Sequence, residues 1–263
     1  MTRARSAAIT PGYATYERVR PLAPAGLLLV VAGVCWAVTV HRMRGMDMGP
    51  GTDLGGLGWF AVVWLTMMAA MMLPSLAPMA HAHAARSRAA GARRPLSGSA
   101  LFTAGYLLTW LGVGVLAYAL VKVFTGLDLG WLAWDRGGPY LAGAVILGAA
   151  AYELTPLKTR CLHHCRRPEL LAGRWRPGAG GAALTGLEHG AFCVGASWAL
   201  MAVLFAIGVM NVTWMVFVAS LVALEKLLPR PGLAVALTAL LVAALALGVA
   251  FAPGQVPWLT VPM

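Results

Sequence analysis

The chain has 263 residues, of which 60% are hydrophobic and 11% charged, and its mean hydropathy is +0.75. Soluble domains run at about 45–50% apolar and about 25% charged, so the composition points away from a water-soluble globule and toward a lipid-embedded chain. The net charge of +11 sits in short stretches between apolar runs, where it serves as topology-setting charge near anionic headgroups, and no basic helix or base-stacking module marks a nucleic-acid partner.

A hydrocarbon core of ~30 Å takes about 20 apolar residues in a helix, and lipid leaves each crossing to satisfy its own backbone. Seven segments qualify or nearly so, at 22–40, 57–80, 100–121, 139–157, 184–209, 212–228 and 233–251. The expected fold is therefore an all-α polytopic membrane bundle of about seven transmembrane helices. It divides into a cytoplasmic tail at 1–21, a transmembrane domain at 22–252 and a short extracytoplasmic tail at 253–263. The first run reads as a retained span, because no convincing small-residue cleavage site follows it. The fifth and sixth segments are separated only around Met210-Asn211 and should form a tight antiparallel hairpin.

Lys and Arg alternate in phase with these segments. Sixteen lie in the tail and the second–third, fourth–fifth and sixth–seventh connections. The other connections hold four: Arg42, Arg44, Lys122 and Arg136. The positive-inside rule then puts the amino terminus in the cytoplasm of an inner-membrane, multi-pass protein and the carboxyl terminus outside. Glycines in the third, fourth and fifth segments allow close helix approach. Pro74 and Pro78 should bend the second segment, since each removes a backbone donor.

Three clusters carry soft or metal-type donors. After the first segment, His41, Met43, Met46 and Met48, with Asp47, could form a mobile outer capture loop, since thioethers and imidazole suit Cu(I). In the second segment, Met68, Met72 and Met79 share a face and Met67 and Met71 flank it. Such a stripe serves either as a ligand ladder or as adaptable helix packing. The third cluster is the most specific. Glu153 closes the fourth segment, and Cys161 and Cys165 follow at i, i+4, which places both thiols on one helical face. His163 and His164 lie between them. The fifth segment contributes Glu188, and then His189, Cys193, Ser197 and Met201 at steps of four. Thiolate with imidazole fits Cu(I), Zn²⁺ or Fe. Carboxylates in a bilayer usually face a partner inside the bundle, so Glu153 and Glu188 read as interfacial anchors, as partners of Lys158 and Arg160, or as oxygen ligands beside His189. Glu225, next to Lys226, reads as one half of a neutralised pair. His81-x-His83 could add ligands at the cytoplasmic end of the second segment.

Met67-Met-Ala-Ala-Met-Met-Leu-Pro-Ser75, Tyr152-Glu-Leu-Thr-Pro-Leu-Lys-Thr-Arg-Cys161 continuing through Pro168, and Gly186-Leu-Glu-His-Gly190 continuing through Met201 occur in that order. Together they resemble a bacterial family of predicted metal-binding integral membrane proteins of unknown function, over roughly residues 57–230. The resemblance implies metal-related roles for Glu153, Cys161, Cys165, Glu188, Cys193 and the Met residues of the second segment. It assigns no reaction. The family's last motif carries two further cysteines where this chain has Ala196 and Ser197.

The leading expectation is a membrane protein that binds or transports a soft transition metal, copper first and zinc or iron as alternatives. Metal-chaperone or other membrane proteins would be its partners. The main alternative is a scaffold or assembly factor whose motifs serve packing and docking. A third is an enzyme using Glu153 and Glu188 as acid and base, but no phosphate loop, nucleophile elbow or His-Glu-x-x-His motif is present.

Overall fold

A computed structural model describes residues 22–44, 54–92, 95–126, 136–257 and 259. The tail at 1–21, and Met46, Asp47 and Met48 of the outer cluster, lie outside the described residues. Within them the structure is helical: α1 (Leu22–Met43), α2 (Leu57–Ala89), α3 (Pro95–Gly126), α4 (Gly138–Glu153), α5 (Pro156–Arg166), α6 (Pro168–Arg174), α7 (Gly178–Ile207), α8 (Val212–Leu227) and α9 (Pro231–Phe251).

All seven apolar segments fall on helices, but not all are long enough to cross. Among the described residues, five helices are long and apolar enough, namely α1, α2, α3, α7 and α9, and α4 with α5 would make a sixth if the bent pair is one span. With 16 residues, α8 is about 24 Å long at 1.5 Å per residue, short of a ~30 Å core. The fourth segment, 139–157, is not one helix. Helix α4 stops at Glu153 and the chain turns by 65° into α5. Pro156 lacks an N–H and disfavours helical geometry at Thr155. Thr155 stands extended as the N-cap, its Oγ1 accepting from the Lys158 N–H at 3.3 Å and donating to the Tyr152 carbonyl at 2.7 Å. By contrast α2 runs on through Pro74 and Pro78 as one helix.

The buried side chains concentrate on α2 and α7, and α3 packs against both. Glycine makes the α3–α7 seam: a Cβ at Gly105 would collide with the Ala183 carbonyl, one at Gly186 with the Phe102 carbonyl, and one at Gly190 with Thr109 Oγ1. Backbones thus meet directly, the small-residue packing that lipid-embedded helices use. Across the same seam Thr109 Oγ1 donates to the Leu187 carbonyl at 3.2 Å. Trp64 of α2 fills the notch at Gly114, and its Nε1 donates to the Trp110 carbonyl at 2.8 Å. The expected α7–α8 hairpin forms. Gly208 closes α7 at φ 120°, and Asn211 Oδ1 caps α8 by accepting from the N–H groups of Thr213 and Trp214.

Candidate metal centre

The turn at Thr155-Pro156 lays α5 against α7. Lys158, Leu162 and Cys165 form the buried face of α5, with Cys161 partly buried beside them. Gly195 of α7 leaves the room that Cys161 occupies, since a Cβ there would strike Cys161 Sγ. Tyr152 pins the same point, its hydroxyl donating to the Gly195 carbonyl at 2.6 Å. The result is a juxtaposition that spacing alone does not give: the buried thiols of Cys165 and Cys193 lie close enough to interact. All four cysteines are free thiols, and Cys35 stands apart on α1.

Four further side chains complete the cluster around Cys193. Tyr106 Oη of α3 lies 3.0 Å from its sulfur. Lys226 Nζ of α8 donates to Cys193 Sγ at 3.0 Å and to Ser75 Oγ at 3.2 Å, and lies 4.0 Å from Met72 Sδ. Ser75 Oγ in turn donates to the Met72 carbonyl at 2.9 Å. Met67, Met68, Met71, Met72 and Met79 are all buried on α2, as are His189, Ser197 and Met201 on the Cys193 face of α7. The His189 ring packs near Phe102 and Tyr106, with centroids at 5.8 and 6.0 Å. Of the third sequence cluster, the structure thus brings Cys161 and Cys165 of α5 to the Gly195 and Cys193 side of α7.

Other candidates go elsewhere. Glu153 is fully buried in an ion pair with Lys158, whose Nζ also donates to Glu225 Oε1 at 2.7 Å. The expected Glu225–Lys226 pair is thus not the arrangement found. Successive helical residues point about 100° apart, so Glu225 turns to α5 while Lys226 turns to α2 and α7. Arg166 of α5 donates to the carbonyls of Glu225 and Leu228, closing the carboxyl end of α8 with a cation. Glu188 faces outward and pairs with Arg176 at 2.6 Å, away from the thiols. His163 is exposed, and His164 stacks on Phe192 at 4.4 Å. His83 is buried against Phe102 with neither ring nitrogen hydrogen-bonded. Met43 is not part of a mobile loop. It ends α1 and is buried, lining a small cleft with Thr39, Arg42, Trp59 and Met210, while His41 is exposed. Among the described residues no group of three or more His, Cys, Asp or Glu side chains is arranged to hold a metal ion.

Lys226 and Tyr106 are the members that spacing did not reveal. An ionisable residue inside the apolar run 212–228 was the available signal for Lys226. Nothing in the pattern singled out Tyr106 from other aromatic residues of α3.

An apolar helical bundle that gathers thiols and a thioether at one interior point has the chemistry of a soft-metal protein. The chain belongs to the PpoB2 copper chaperone family, whose model matches residues 61–249. The match covers α2 through α9 nearly entire, every helix that contributes to the thiol cluster. The match supports a copper-related role, in line with the copper-first expectation, and does not bear on the membrane family that the three motifs resemble. No curated protein and no solved structure matches the chain.

Proposed function

We propose that this chain is a multi-pass inner-membrane protein, amino terminus in the cytoplasm, that takes Cu(I) as cargo between the thiols of Cys165 and Cys193 and passes it to a partner. The observation that carries the reading is the closeness of those two buried thiols, with Met72 Sδ near the same ammonium that reaches Cys193. A soft monovalent ion is satisfied by two thiolates, and a weak thioether nearby offers a way on and off. Cys161, beside the pair on α5, would be the first acceptor on leaving. Met68, Met71 and Met201 line the surrounding core and would supply the weak steps of a path, with His189 as a borderline ligand. Glu153 and Glu188 are engaged with Lys158 and Arg176 and serve structure in this reading.

Elemental analysis of protein purified with Cu(I) under reducing conditions tests it. About one copper per chain is expected, lost in Cys165→Ser/Cys193→Ser. Protein without copper, or undiminished copper in the double variant, would overturn the reading. Preferential loading with zinc or iron would overturn the choice of ion.

A further inference from the structure

Lys226 is out of place by the ordinary rules of a metal site. Its ammonium lies 3.0 Å from Cys193 Sγ and is steadied by Ser75 Oγ at 3.2 Å. With a metal–sulfur distance of about 2.3 Å, any ion on that sulfur would lie no more than about 5 Å from this positive charge. The carboxylates that could offset a second positive charge are already engaged. Glu153 and Glu225 both face Lys158, and Glu188 faces Arg176 at the surface. The remaining groups at the cluster are neutral oxygen and sulfur donors on Tyr106, Ser75 and Met72.

We infer that Lys226 sets the charge preference of the thiol pair, favouring a monovalent soft ion over a divalent one. The inference rests on the thiol-pair reading above. Repulsion scales with the product of the charges, so a divalent ion meets twice the opposition from the ammonium that a monovalent ion meets. The sign of the selectivity follows without knowing either absolute affinity. Softness of the donors alone does not separate Cu(I) from soft divalent ions such as Cd²⁺, whereas a fixed neighbouring cation does.

Titration of the detergent-solubilised full-length chain with Ag(I), a redox-inert monovalent probe, and with Cd(II), followed by thiolate charge-transfer absorption, tests this. Lys226→Met should raise Cd(II) affinity relative to Ag(I) by roughly tenfold or more, while Lys226→Arg keeps the wild-type ratio. If Lys226→Met does not give monodisperse protein, Lys226→Gln provides the same comparison. A folded neutral variant with an unchanged ratio would overturn the inference, as would a change of both affinities by one common factor, which would make Lys226 a positioning residue only. Wild-type protein that binds neither ion would instead sink the thiol-pair reading itself.

Discussion

Lys226 of α8 and Cys193 of α7 meet at 3.0 Å, although 33 residues apart in the chain. The contact draws Ser75 and Met72 of α2 to the same ammonium, while α3 supplies Tyr106 to the same sulfur. Four helices thus converge on one thiol, and α5 adds a fifth through Cys165. A partly buried lysine beside a thiol is costly unless well partnered, and here every partner has a definite distance.

The cysteines should not be equivalent. Cys165→Ser and Cys193→Ser should each weaken Cu(I) binding by about tenfold or more, and Met72→Leu by only a few-fold, in line with direct ligands and a weak neighbour. Cys35→Ser, on α1 away from the cluster, should leave binding unchanged. Competition against a Cu(I) chelator measures all four variants, and equal losses across them would contradict the assignment.

The buried ion triad should dominate stability. Lys158→Met leaves Glu153 and Glu225 facing each other without a cation, a defect worth about 3–5 kcal/mol. Adding Glu153→Gln and Glu225→Gln to that variant should recover much of the loss. Arg176→Ala, which breaks an exposed pair with Glu188, should cost less than about 1 kcal/mol. Thermal unfolding in detergent ranks the three variants, and a harmless Lys158→Met would show that the triad is not formed.

The α3–α7 seam should tolerate no side chain at its glycines. Gly186→Leu drives a side chain into the Phe102 backbone and should destabilise by about 1–3 kcal/mol or abolish folding. Gly112→Ala, on α3 but with open space around it, should be neutral or stabilising by up to about 1 kcal/mol. The pair of thermal midpoints separates close backbone packing from a general intolerance of substitution.

Copper should be cargo and not scaffold. The bundle core consists of packed aromatic, aliphatic and thioether side chains, so removing Cu(I) with a chelator should lower the unfolding free energy by no more than ligand linkage allows, about 2.7 kcal/mol at a hundredfold excess over the dissociation constant. Loss of helical circular dichroism on chelation would show instead that the metal organises the fold.

Much of this architecture was legible from the chain alone. Apolar runs and small residues announced a helical bundle because lipid forces each crossing to close its own hydrogen bonds. The i, i+4 spacing put Cys161 and Cys165 on one side of α5, and the steps of four from His189 to Met201 traced the inward face of α7. Helical periodicity is local, so sequence reports it directly. The tertiary structure decided which faces meet. The break at Thr155-Pro156 and the space at Gly195 bring Cys165 to Cys193, Glu225 turns to Lys158, and Lys226 turns to the thiol. Those pairings depend on how helices from distant parts of the chain are set against one another. A side chain's partner across a helix seam is fixed by packing geometry, and no local pattern encodes it.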